Sequence, residues 1–76
     1  MTIDKAIGLA RKELERAQQR FPPFHSHHEG YAVIREEMDE LWDEIKQSKS
    51  LRAAKLVRLE AVQVAAMALR FLVNLQ

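Results

Sequence analysis

The sequence predicts an all-α chain of three helices, a first helix followed by an antiparallel helical hairpin. Apolar residues recur at helical spacing in three stretches, and one proline-bearing break and one polar break divide them. The composition, 47% hydrophobic and 30% charged with two Gly and two Pro, suits ordered helices and argues against disorder. At 76 residues the chain is read as one domain, 1–76, near the lower limit at which a single chain buries enough apolar surface to stand alone. Partners or further copies of itself are therefore expected.

The first helix begins at Thr2, a suitable N-cap, with Asp4 in the first turn where the positive end of the helix dipole favours an acid. Ile3, Ile7, Ala10, Leu14 and Ala17 give it one apolar face, Gly8 weakens its first half, and Pro22-Pro23 stop it near Arg20. Phe21 and Phe24 flank the prolines and are expected to fold back onto the helices. Ser26-His27-His28-Glu29 has the form of a capping box, opening a second helix that runs to about Lys46 or Gln47. Gln47-Ser48-Lys49-Ser50 is a polar break with Ser50 as a candidate cap for the third helix from Leu51. Beyond Leu59 the third helix is apolar nearly all round and is expected to be buried. Glu60, Gln63, Met67, Arg70 and Asn74 fall on one narrow stripe along it, where polar groups must meet polar partners or a ligand.

Net charge is +1 and gives no footprint for nucleic-acid binding. There is no cysteine, which removes disulfides and thiolate zinc sites and points to a reducing cytoplasm. Met1 to Lys5 lacks the pattern of a secretory signal, and the apolar run from Ala61 to Val73, broken by Gln63 and Arg70, is too short for a bilayer. No nucleic-acid or membrane partner is expected.

The chemistry concentrates between Glu36 and Glu44, where six acids fall within nine residues and Arg35, just before them, is the nearest basic neighbour. At about 100° per residue, Glu37, Glu40 and Glu44 share one face of the second helix. Ile34, Met38, Leu41, Trp42 and Ile45 form the adjoining apolar face, so the acids border a seam expected to be buried. In an antiparallel hairpin Glu37 and Glu40 face Glu60 and Gln63, two i, i+3 pairs in the arrangement that builds metal sites inside helical bundles. Mg²⁺ suits such a set, as a hard ion that takes carboxylate oxygens and keeps waters for a phosphate substrate.

Glu36-Glu37-Met38-Asp39-Glu40-Leu41 resembles the EExxEL signature of the MazG-type all-α nucleoside triphosphate pyrophosphohydrolases. Glu60-Ala61-Val62-Gln63 sits where that family carries ExxD, and the nineteen residues between Glu40 and Glu60 fit its helix-loop-helix spacing. The resemblance covers about Ser26 to Leu72. It implies Mg²⁺ held by Glu37, Glu40 and Glu60, with Gln63 in the place of the family's Asp and able to offer a carbonyl oxygen but no charge. It also implies hydrolysis of a nucleoside or deoxynucleoside triphosphate to monophosphate and pyrophosphate. Glu36 or Glu44 would position the attacking water, and Arg70, Lys55 and Arg58 would meet substrate phosphates. Because the chain is shorter than most members, the resemblance implies a homodimer or a dimer of dimers that completes the bundle. An inactive relative that binds or sequesters nucleotides is the alternative, and a purely structural module is a third.

Plainer readings stand beside these. Glu37 and Glu40 would line a solvated helix face, and Glu60 and Gln63 an interhelical hydrogen-bond network. Arg70 is read first as a salt-bridge partner of Glu60 or Glu37. Arg52, Lys55 and Arg58 would form a solvated basic face, and Trp42 and Phe71 belong to core or interface. His25, His27 and His28 point in different directions at a helix start and make a poor zinc site.

Overall fold

The computed structural model describes residues 1–47 and 51–75, with side chains other than those of Leu51 and Arg52. Three helices are present, α1 (Ile3–Arg20), α2 (His27–Ile45) and α3 (Leu51–Asn74), and no strand occurs among the described residues. Ser50 as a cap and Arg52 on a basic face lie outside what is described.

The predicted caps form. Thr2 Oγ1 accepts the Lys5 N–H at 3.1 Å, and Ser26 Oγ accepts the Glu29 N–H at 3.1 Å. The return half of the second cap differs from the usual box. Glu29 Oε1 accepts the N–H of His25, one residue outside the cap, at 3.0 Å. α1 stops where Phe21 turns extended ahead of Pro22, its N–H still bonded to Ala17 O at 2.9 Å. α2 ends at Ile45, with Lys46 beyond it paired to Asp43 at 3.2 Å.

α3 is the central element: α1 and α2 each pack on it rather than on each other. Gly30 near the start of α2 meets Phe71 near the end of α3, so these two run antiparallel. α1 runs parallel to α3, since Ala6 and Ala10 share a cleft with Ala61 and Ala65, while Ala17 packs on Ala66 and Met67. Small residues make the close approaches. A Cβ on Gly30 would lie 2.6 Å from Phe71 Cδ2, so only glycine lets that ring sit against the backbone of α2. Ala17, Ala66 and Met67 form the core cluster, with Leu14, Val33 and Ile34 packed around it from both flanking helices.

Four expectations are corrected here. α3 is not buried all round, because two neighbours cover only part of its circumference, and Leu59, Leu69, Leu72 and Val73 remain exposed. The apolar seam of α2 is likewise half open: Ile34 and Leu41 are partly covered, but Met38, Trp42 and Ile45 are 52%, 57% and 51% exposed. On α1, Ile3 and Ile7 also face solvent, and the helix docks through its alanines and Leu14. Phe24 folds inward as expected and Phe21 does not. No described helix is long and apolar enough to cross a membrane.

Candidate metal centre

The α2–α3 pairing brings Glu37, Glu40 and Glu60 together, each offering a carboxylate oxygen, all within 4.8 Å of one another. Glu37 and Glu60 are half-buried and Glu40 is exposed. Burial first, and then the neighbouring Glu40, pushes the Glu37 carboxyl up to about 7, with smaller contributions from Glu60 and Glu36. Glu60 is raised for the same reasons, burial leading and Glu40 next, with Glu44 adding to it. The cluster is thus short of positive charge. Arg35 does not supply it, since that side chain is bonded to Tyr31 at 3.2 Å and paired with Asp39 at 3.8 Å on the solvent side.

Glu60 Oε2 is shielded from solvent and has no hydrogen-bond partner. A buried anionic oxygen without a donor is costly unless a proton or a cation meets it. The donor set fits a hard divalent ion. Two ligands across Mg²⁺ lie about 4.1 Å apart, and across Ca²⁺ about 5 Å, so oxygens within 4.8 Å close around either with small side-chain movements. An all-oxygen set without nitrogen or sulfur donors favours a hard ion over zinc. Among the described residues the histidines do not join the cluster; His27 instead packs its ring on Phe71, centroids 5.7 Å apart.

Of the three acids, Glu37 lines a groove of about 430 Å³ that runs over α3 between α1 and α2. Glu36, Glu37 and Gln63 line it at one end. Glu36 flanks the cluster on the groove side, while Glu44 acts on Glu60 from the other. Arg70 lines the groove toward its far end with Arg16, Arg20 and Phe21. It is not the expected salt-bridge partner of Glu60 or Glu37. Its Nη2 donates to the Pro22 carbonyl at 2.6 Å, and its guanidinium lies 4.1 Å over the Phe24 ring. The reason is distance: Arg70 is ten residues from Glu60, about 15 Å along the helix.

Lys55 and Arg58 are exposed, and Arg58 lines a separate shallow cleft against Met1, Ala6 and Ala10. Arg58 is two positions before Glu60, about 200° of helix, which turns it from the acids within one chain. Sequence reasoning passed over Arg16, Arg20 and Phe21, having treated α1 as scaffold. Their signal was the i, i+4 arginine pair running into an aromatic at a proline stop.

No known family model matches the sequence, and no curated protein or solved structure matches the chain.

Proposed function

We propose that this chain is a Mg²⁺-dependent pyrophosphohydrolase of the MazG type, cleaving a nucleoside or deoxynucleoside triphosphate to monophosphate and pyrophosphate as a cytoplasmic homo-oligomer. The observation that carries the reading is the convergence of three carboxylates from two helices, one of which, Glu37, lines a groove large enough for a nucleotide. The EExxEL-like run on α2 supports it.

Glu37, Glu40 and Glu60 would hold the ion, with the Gln63 carbonyl as a neutral fourth oxygen. Bound there, the ion supplies charge neutralisation for the phosphates. Glu36 or Glu44 orients a water and takes its proton as the water oxygen bonds to phosphorus. The bridging P–O bond breaks, and its electron pair leaves with pyrophosphate. The open stripes of α2 and α3 favour a second copy as the covering partner, and in such an assembly Lys55 or Arg58 of one copy would approach the phosphates held by another.

Incubating the purified protein with a panel of nucleoside triphosphates and Mg²⁺ and measuring pyrophosphate tests this directly. Release that falls at least about tenfold in Glu60→Ala supports the assignment. No release with any triphosphate at high protein concentration removes it. Gln63 favours a second reading, in which the missing fourth charge leaves a protein that binds nucleotides without cleaving them. That reading predicts binding without turnover, and turnover appearing in Gln63→Asp.

A further inference from the structure

Arg70 is 5% exposed, the one buried charged side chain among the described residues. A guanidinium carries five N–H donors, and this one makes a single strong bond, to Pro22 O. Nη1 reaches only the Met67 sulfur at 3.8 Å, and Nε is buried without a partner. No described carboxylate lies within ion-pair distance of Arg70. Its charge is eased only by the faces of Phe24 and, at 5.8 Å, Phe21. A cation held this way, away from water and without a counter-ion, is electrostatically incomplete.

Its neighbours deepen the deficit. Arg16 and Arg20 line the same groove one turn apart on α1, with Arg20 over the Phe21 ring at 5.6 Å. The one carboxylate paired with any of the three is Glu13, 3.3 Å from Arg16. Because α1 and α3 run parallel and α2 antiparallel, the lining changes sign along the groove. Glu13, Glu36, Glu37 and Gln63 occupy one end, and Arg20, Phe21 and Arg70 the other. Gln63 and Arg70 are seven residues apart, about 10 Å along α3.

We propose that the arginine end of this groove is a metal-independent subsite for a phosphate-bearing anion, with Arg16, Arg20 and Arg70 neutralising the phosphate. Planar guanidiniums lining one groove from α1 and α3 match phosphate, whose oxygens take paired N–H donors, with Arg16 between the two ends and exchanging Glu13 for the phosphate. The half-exposed ring of Phe21 sits at the same end, where a base would stack on it once the exposed Arg20 side chain turned from the ring to the phosphate. The inference rests on the nucleotide reading only for which molecule carries the phosphate.

The test is calorimetric titration of the full chain in EDTA with inorganic pyrophosphate, tripolyphosphate and ATP. Saturable binding is expected, weakening as salt rises, and lowered about tenfold or more in Arg16→Gln/Arg20→Gln, both exposed positions that leave the core intact. Glu37→Gln should bind as well as the parent or better. ATP binding more tightly than tripolyphosphate, with the difference lost in Phe21→Ala, assigns the subsite to a nucleotide; equal affinities assign it to an inorganic polyphosphate. No binding in EDTA, or binding indifferent to the arginine pair, overturns the proposal. Hydrolysis can fail while EDTA binding persists, and binding can fail while hydrolysis persists, so the two readings fall separately.

Discussion

Glu37 carries the clearest electrostatic signature in the molecule, and it makes stability depend on pH and on cations. Its carboxyl, ordinarily near 4.5, is pushed up to about 7 by burial and by Glu40, Glu60 and Glu36, with Glu44 acting on the same cluster through Glu60. Between those values the folded chain holds a proton that the unfolded chain has released. Stability is therefore full below about 4.5, falls as pH rises through about 7, and levels off above it. Urea unfolding at pH 5 and pH 8 should show the lower midpoint at pH 8, and Glu37→Gln should flatten the difference. Adding millimolar Mg²⁺ at pH 8 should restore the loss in the parent chain and do little for Glu37→Gln, since a ligand that binds only the folded state stabilises it by mass action. A parent midpoint that rises from pH 5 to pH 8, or that Mg²⁺ leaves unmoved, would break the link between the raised carboxyl and an ion site.

The helices show how one residue type takes opposite meanings from its surroundings. Gly8 has nothing within 4 Å of where a Cβ would sit, so Gly8→Ala adds helix propensity alone and should stabilise by about 0.5–1 kcal/mol. A Cβ on Gly30 would meet the Phe71 ring and lie 3.1 Å from Leu75 Cδ1, so Gly30→Ala meets overpacking that outweighs the same gain and should destabilise by about 1 kcal/mol. Thermal unfolding of the two variants side by side separates the cases. The contrast marks what was legible in the sequence. Capping residues, the proline stop and the carboxylates at i and i+3 act through local geometry, and Thr2, Ser26, Glu37, Glu40 and Glu60 take the places their spacing assigns. Gly8 could be weighed from its own helix, whereas Gly30 gets its role from a residue 41 positions away. Arg70 is the same kind of failure: its stripe on α3 was correct, but its partners, Pro22 and Phe24, come from the α1–α2 connector. The groove's cationic end was equally hidden, because which face α1 turns to α3 is set by tertiary packing.

At the scale of the whole molecule, the chain carries more apolar surface than three helices can cover. Among the described residues no large side chain is fully buried, and the core is mostly alanine, with Phe24 and Met67 as its large members. Met38, Trp42 and Ile45 form an open i, i+4, i+7 stripe on α2, and Leu72 is 68% exposed on α3. An isolated three-helix unit of this size draws little stability from such a core, and a second copy laid against these stripes would cover apolar side chains that one chain leaves open, toward the roughly 800 Å² per chain that a stable interface takes. Folding would then be coupled to association, and the melting temperature should rise with protein concentration, by about 4 °C for each tenfold increase in a two-state dimer of this length. Sedimentation should show a species larger than one chain. Trp42→Glu places a charge in the middle of the α2 stripe while touching none of the three clustered carboxylates. It should shift the protein toward single chains, lower the melting temperature and abolish its concentration dependence. Gln19→Glu, at an exposed position on α1, should leave the association intact. A single-chain sedimentation coefficient at high concentration, with a melting temperature indifferent to dilution, would mean that the open stripes of α2 and α3 are not where copies of this chain meet.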